Sequence, residues 1–104
     1  MIVSTYPNKK SISKIANSMV RKKLVACVNT TKISSVYIWQ GKIESADEYL
    51  AIFKTTQKNK AKVKNEIKTT HPYKVPEIAE IQISSINKPY LDWLVDSTRT
   101  RRKT

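Results

Sequence analysis

Apolar residues recur along this chain with two different periods, one typical of helices and one typical of strands. The clearest helical pattern runs from the candidate N-caps, Asn8 or Ser11, to Lys23, with apolar side chains at i, i+3, i+4, i+7 and i+8. These positions are Ile12, Ile15, Ala16, Met19 and Val20. A thinner stripe predicts a second helix over residues 57–70, and Pro89 in a first turn predicts a third helix that ends at Ser97.

Short apolar segments, continuous or alternating, predict five strand segments. They are residues 2–6, 24–28, 33–39, 48–56 and 77–83. The polar residues 29–32 predict a break, residues 45–47 predict an irregularity, and Gln40-Gly41 predicts a tight reversal in which the only glycine supplies a positive φ. The two arms around this reversal form a hairpin that is longer than a domain of this size needs to cover its helices.

The order β-α-β-β-α-β-α predicts an α+β fold of the ferredoxin-like, split βαβ type. Such a fold places both long helices on one face of a four-stranded antiparallel sheet and leaves the other face open, as well as the end of the long hairpin. We expect four aromatic side chains of the hairpin to exceed what two helices can bury, so that another copy of the chain covers them. These candidate interface residues are Tyr37, Trp39, Tyr49 and Phe53.

Length and composition limit the remaining possibilities. The 104 residues predict one domain over 1–98, followed by a basic tail over 99–104 that we expect to be frayed. No apolar segment approaches the ~20 residues of a membrane span, and the first residues are expected to form a strand rather than a signal peptide. A single cysteine, Cys27, favours a reducing compartment, which predicts the cytoplasm.

The net charge is the most unusual feature of the composition, with 20 Lys and Arg residues against 8 Asp and Glu residues and a formal value of +12. This charge favours an anionic partner such as nucleic acid, although solvent-exposed lysines on the helices that bind no partner would give the same total. One glycine excludes the glycine-rich loops that bind nucleotide phosphates. No serine, cysteine or lysine is visibly paired with a base, so we expect no catalytic activity.

A corner with two prolines, over residues 71–77, concentrates the candidate chemistry. It contains the only histidine, His71, together with Tyr73 and Glu77. His71 is a candidate copper or zinc ligand with Glu77 beside it, or else a structural residue that satisfies helix carbonyls or anchors the corner. Lys54 either extends its ammonium to the sheet edge or pairs with Glu77, and Cys27 is a small core residue or a third metal ligand.

Five motifs resemble the CutA divalent-cation-tolerance family, in order and over nearly the whole chain. They are LVACVN, S-x-Y-x-W-x-G-K-I-E, KTT, HPYKVPEI and YLDWL. The resemblance implies a homotrimer with an architecture similar to PII-type signalling proteins, in which the hairpin reaches onto the neighbouring subunit. It also implies tolerance to copper and other divalent ions, without an established enzymatic reaction. Some relatives carry a second cysteine where this chain has residues 4–7, so a two-thiolate site within one subunit is absent.

The resemblance further implies a ligand cleft between subunits. Its candidate residues are Lys54, Tyr73, Tyr90 and Trp93, although the tryptophan is equally a packing anchor. Three classes of function are therefore left open: a trimer that senses metal or a small ligand, a basic nucleic-acid-binding module with at most non-specific binding, and a purely structural trimer.

Overall fold

The computed structural model describes residues 1–99 and contains four strands and three helices in this part of the chain. In chain order they are β1 (Ile2–Tyr6), α1 (Lys9–Arg21), β2 (Cys27–Trp39), β3 (Lys42–Lys54), α2 (Lys60–Thr70), β4 (Ala79–Glu80) and α3 (Lys88–Ser97). The strands form one antiparallel sheet in the order β2-β3-β1-β4. This arrangement confirms the predicted ferredoxin-like order of elements. The tail residues 100–104 lie outside the described residues.

Helix α1 forms where the apolar spacing predicts it. Asn8 is its N-cap, and the side-chain Oδ1 accepts a hydrogen bond of 2.8 Å from the backbone N–H of Ser11. The inward face of α1 buries Ile12, Ile15 and Met19 against the sheet. The cap therefore fixes the start of the helix, and the apolar stripe fixes which side faces the core.

The core lies between the sheet and the two long helices. Its buried apolar residues are Ile2, Tyr6, Ile12, Ile15, Met19, Val25, Ala51, Phe53, Val63 and Ile67. Along β3 the buried residues Ala51 and Phe53 alternate with half-buried Leu50, Ile52 and Lys54. The first pair therefore faces the helices, and the second set faces the open side of the sheet.

This alternation corrects one part of the predicted interface. Phe53 is 0 % exposed in the core of a single protomer, and Tyr49 packs half-buried against the same core, so neither lies on the open face. Tyr37 and Trp39, by contrast, are 43 % and 62 % exposed. Of the four predicted interface residues, Phe53 therefore belongs to the core of the protomer and Tyr49 packs against that core, whereas Tyr37 and Trp39 are exposed.

The hairpin projects because its strands are longer than the helices. Each strand has 13 residues, which corresponds to about 43 Å, whereas the 13 residues of α1 extend about 20 Å. The strands run without the breaks predicted at 29–32 and 45–47, and they meet at a turn in which Gln40 and Gly41 both have positive φ values of 51° and 79°. The end of the hairpin nearest this turn carries the exposed apolar residues Val36, Ile38 and Ile43.

Strand β4 is much shorter than the predicted 77–83 segment. Only Ala79 and Glu80 are in strand, opposite Val3 and Ile2. Beyond them, the backbone of Ile81 exchanges hydrogen bonds of 2.7 and 2.8 Å with Met1. The chain then turns away from the sheet, so Ile81 and Ile83 are exposed rather than buried on a sheet face.

An apolar groove of about 410 Å³ lies where the chain leaves β4 and returns as α3. Its apolar lining comes from the start of the chain, from residues 81–86 and from α3. The main contributors are Met1, Ile81, Ile83, Ile86, Leu91 and Val95. Within residues 1–99, no helix has the length and apolar character needed to cross a membrane.

Candidate functional site: the His71 corner and the Lys54 cluster

His71 follows α2 directly and anchors the corner with both ring nitrogens. Its Nε2 lies 2.8 Å from the carbonyl oxygen of Thr5, and its Nδ1 lies 3.0 Å from the backbone nitrogen of Tyr73. A carbonyl oxygen only accepts, so Nε2 carries the proton and donates it, while the lone pair of Nδ1 accepts from the Tyr73 N–H. The imidazole is therefore neutral, with its tautomer fixed by two backbone partners.

The bond to Thr5 replaces a missing strand partner. Alternate residues of β1 point their backbone groups to the same edge, so the carbonyl of Thr5 faces the β4 side, as that of Met1 does. Strand β4 ends before it reaches Thr5, and the imidazole supplies the donor that a longer strand would have supplied. His71 thus completes the edge of the sheet where the strand ladder stops.

Aromatic packing and a carboxylate hold the ring in place. The imidazole stacks on Tyr6, with ring centroids 4.2 Å apart, and meets Tyr73 at 5.0 Å. The phenol Oη of Tyr73 donates a 2.7 Å hydrogen bond to Oε2 of Glu48 on β3. This chain of contacts ties the corner to both β1 and β3.

Burial dominates the ionisation of these groups. Desolvation lowers the pKa of His71 below its usual value, against smaller opposing effects of the Thr5 carbonyl and the Glu48 charge. Burial and the bond to Glu48 raise the pKa of Tyr73, and burial raises the pKa of Tyr6 to about 12. The side chains of His71, Tyr73 and Tyr6 are therefore uncharged at neutral pH.

This geometry does not fit the predicted metal site. His71 has no free lone pair, and Glu77 is exposed without a hydrogen bond or ion pair to the imidazole. Cys27 pairs with Lys54 in the strand register, far from the corner. Across residues 1–99, His, Cys, Asp and Glu side chains nowhere gather in a group of three that would hold a metal ion. The structural alternative for His71 fits, with Thr5 as its partner rather than the last carbonyls of α2.

The second cluster lies on the open side of the sheet, where α3 approaches the end of β3. The half-buried ammonium of Lys54 lies 3.4 Å from the Oη of Tyr90 and 5.5 Å from the centroid of its ring. Trp93, one turn further along α3, packs against Tyr90 with centroids 5.4 Å apart. Among the described residues no carboxylate forms an ion pair with Lys54, so the predicted pairing with Glu77 is not formed.

The predicted cleft is therefore divided between two places. Lys54, Tyr90 and Trp93 come together, but Tyr73 binds Glu48, which is six residues, or about 20 Å, away from Lys54 along β3. Glu48 and Thr5 belong to the corner, and the sequence analysis missed both. Glu48 had one signal, a charge at a position that shares a face with Leu50 and Ile52. Thr5 contributes only its backbone carbonyl, for which no sequence signal exists.

Comparisons with known proteins agree with this fold. The model of a family described as "CutA1 divalent ion tolerance protein" matches residues 1–97. A Pyrococcus horikoshii protein named "Divalent-cation tolerance protein CutA" is 35 % identical over 95 % of this chain and 97 % of its own length. An Arabidopsis thaliana protein named "Protein CutA, chloroplastic" is 41 % identical over 95 % of this chain, which spans 55 % of that protein.

A solved structure described as the periplasmic divalent cation tolerance protein CutA from Archaeoglobus fulgidus has the same fold. It superimposes with a TM-score of 0.89 and 39 % sequence identity, over 94 % of this chain and 96 % of the other. The family model covers nearly all of the described residues, and the identities exceed what fold similarity alone requires. The chain therefore belongs to the CutA1 divalent ion tolerance protein family.

Proposed function

We propose that this protein acts in the tolerance of divalent cations, copper in particular, as a homotrimer that binds a small anionic ligand between its subunits. The names of its relatives support the general role in cation tolerance. The proposal attributes binding, and no catalytic step, to the protein. The assembly, the ligand site and the location are supported by separate observations.

Two exposed apolar surfaces in one protomer support the assembly. The first is the hairpin end, defined as residues 36–43, whose Trp39 and Ile43 are 62 % and 79 % exposed. The second is the groove lined by residues 81–86 and α3. Two different complementary surfaces on one chain generate a ring when the rotation between copies closes. Three copies, each placing its hairpin end on the groove of the next, form such a ring with a PII-like architecture.

The unpaired ammonium of Lys54 is the observation that carries the proposed ligand site. A half-buried charge without a counter-charge in its own protomer favours an anion, and it repels a free divalent cation. The faces of Tyr90 and Trp93 add apolar area beside it. Of the two predicted occupants of a subunit cleft, the cluster therefore supports a small anion rather than a bare metal ion.

Substitution of Lys54 tests this site. Lys54→Met keeps the length of the side chain and removes the charge, so binding of orthophosphate, measured by titration calorimetry, should weaken at least tenfold. Lys74→Met, at an exposed position outside the hairpin end, the groove and the Lys54 cluster, removes the same charge and should leave phosphate binding unchanged. Unchanged binding in Lys54→Met would contradict the site, and so would a trimer in which a partner's carboxylate already neutralises Lys54.

The role in cation tolerance is tested separately by growth. A copper-sensitive host that expresses the wild-type chain should grow at higher copper concentrations than one that expresses Lys54→Met. Equal growth of both strains, with phosphate binding lost in the variant, would separate the ligand site from tolerance.

We further propose a cytoplasmic location, which the single cysteine supports. The Arabidopsis relative is named chloroplastic and the Archaeoglobus one periplasmic, so the compartment differs between relatives. Cell fractionation with an antibody against the native chain tests the location, and recovery from the periplasm would contradict it.

A further inference from the structure

The positive charge of the protein is concentrated on its two long helices. Residues 9–23 and 58–68 make up a quarter of the chain, yet they contain eleven of its twenty basic residues and one of its eight acidic residues, Glu66. The other acidic residues lie on the hairpin, the corner, β4 and α3. The net charge of +12 is therefore a property of one side of the molecule rather than of the whole surface.

The outward faces of α1 and α2 form a continuous basic face. On α1, Lys10, Lys14 and Arg21 repeat at i, i+4 and i+11, opposite the buried Ile12, Ile15 and Met19. On and just before α2, Lys58, Lys62 and Lys68 are exposed opposite the buried Val63 and Ile67. We call these six residues the basic face.

Neighbouring lysines are neutralised, but the basic face is not. Lys22 pairs with Glu66 at 3.0 Å, and Lys60 and Lys64 both pair with Glu80, at 3.2 and 2.6 Å. Within residues 1–99, none of the six residues of the basic face forms an ion pair with a carboxylate. The six charges are thus available to an external anion.

The Lys22–Glu66 pair also shows how the helices are arranged. It connects the end of α1 to the middle of α2, and the Asn59 amide at the start of α2 contacts the carbonyl of Lys23 at 3.4 Å. The helices are therefore antiparallel neighbours, typically about 8–10 Å apart. The basic face extends about 16 Å along the helices and about 8–10 Å between their axes, which is large enough to contact a few phosphates of a nucleic acid.

We propose that the basic face binds the phosphate backbone of double-stranded nucleic acid without sequence preference. The eight aromatic residues all lie outside α1 and α2, so this face has no platform on which unpaired bases would stack. Its cations are mostly lysines, which act as point charges and do not read base edges in a fixed geometry. Duplex phosphates are therefore favoured over single strands.

The composition of this face also disfavours an anionic membrane. A membrane-binding helix presents large apolar side chains beside its lysines, whereas Val20 is the one exposed large apolar residue of α1 and α2. The basic face shares no residue with the hairpin end or with the groove, so the trimer and a bound duplex are compatible.

The test measures the salt dependence of binding to a labelled 24-base-pair duplex by fluorescence anisotropy. Lys14→Gln combined with Lys62→Gln removes two charges from the basic face. Lys74→Gln combined with Arg99→Gln removes two exposed charges elsewhere that, within residues 1–99, also form no ion pair with a carboxylate. The slope of log affinity against log salt should fall by about 1.8 in the first variant and stay unchanged in the second. Affinity at 0.1 M salt should drop about tenfold or more in the first variant only.

Two further arms separate the alternatives. A chain truncated after Thr98 should keep most of the salt slope, because the proposal places the contacts on the helices. Tighter binding to a single-stranded oligothymidylate of the same length would overturn the proposal, as would equal losses in the two double variants or loss of binding on truncation. Binding of phosphatidylserine vesicles, reduced by the first variant, without duplex binding would assign the face to lipid and would also overturn it.

Discussion

Phe53 and Ile43 lie on the same face of β3, yet the first is 0 % exposed and the second is 79 % exposed. Each strand of the hairpin has one end in the core and the other in solvent, and apolar residues occur at both ends. The difference lies in what covers them, since α1 and α2 end about halfway along the strands. An apolar position in β2 or β3 therefore stabilises either the protomer or the assembly, according to its distance from the helices.

The largest loss of stability should follow a substitution at the end of the hairpin that the helices cover. Phe53→Ala should destabilise the protomer by about 3–5 kcal/mol, because it leaves a cavity beneath both helices. Domains of this size have roughly 5–15 kcal/mol in total, so urea denaturation followed by circular dichroism should show a large loss of stability. Ile43→Ala, on the same face at the uncovered end, is the matched control and should leave the secondary structure of the protomer intact. Equal losses of stability in Phe53→Ala and Ile43→Ala would contradict the inference that only the helix-covered end stabilises the protomer.

The next largest effect should be a change in oligomeric state, without loss of the protomer fold. Trp39→Ala removes the largest exposed side chain of the hairpin end, so the mass measured by light scattering should fall about threefold, from trimer to monomer. The secondary structure should persist. Lys42→Ala, directly opposite Trp39 in the strand register, should keep the trimer. A wild-type mass equal to one protomer would refute the assembly itself.

The corner should contribute an intermediate amount. His71→Ala removes two hydrogen bonds and a stacked ring, so the metal-free protein should lose about 2–3 kcal/mol of stability in chemical denaturation. Glu77→Ala, a few residues away and exposed, should change little. Copper affinity should be the same in His71→Ala and the wild type, and a selective loss of copper binding without destabilisation would restore His71 as a ligand.

The loss of folding stability at low pH should also depend on His71. Protonation of Nδ1 would break the bond from the Tyr73 N–H, and the pKa of His71 is lower in the folded chain than in the unfolded chain. Between these two pKa values the unfolded chain therefore binds more protons than the folded chain. The contribution of His71 to stability is complete above about pH 6.5 and is lost as the pH drops toward the lowered pKa of the folded chain. Thermal melts at several pH values should show this decline in the wild type and a weaker one in His71→Ala.

The smallest effect concerns the link between the corner and the hairpin. Tyr73→Phe removes the 2.7 Å hydrogen bond to Glu48 and keeps the ring, so the loss should be about 1 kcal/mol. Tyr49→Phe, on β3, removes a phenol outside both the hairpin end and the corner and is the control. A loss as large as that of His71→Ala would mean that Glu48, rather than the imidazole, holds the corner.

Local patterns in the sequence predicted the elements that depend on local interactions. The spacing in α1 and its Asn8 cap are both confirmed, because capping and amphipathic burial are decided within a few residues. The glycine reversal and the order of elements are confirmed for the same reason. The family resemblance, which rested on motifs near Trp39, His71 and Trp93, is confirmed as well.

The features that the sequence did not predict depend on contacts between residues that are far apart in the chain. Residues 29–32 are polar, but they stay in strand because β3 offers an unbroken row of partners. Residues 81–83 alternate like a strand, but their pairing with β1 stops after the two backbone hydrogen bonds between Ile81 and Met1. The role of His71 depends on the Thr5 carbonyl, which is 66 residues away in the chain. Alternation also identifies two faces of β3 without telling which one the helices cover.

The single histidine makes the corner visible to magnetic resonance. Because His71 is the only imidazole of the chain, its two ring nitrogens give one pair of ¹⁵N signals, free of overlap. In the closed corner these signals should differ strongly, since Nε2 is protonated and Nδ1 is not. Exchange between tautomers would bring them together. The separation of two resonances thus reports, in the intact protein, how much of the time the edge of the sheet is closed.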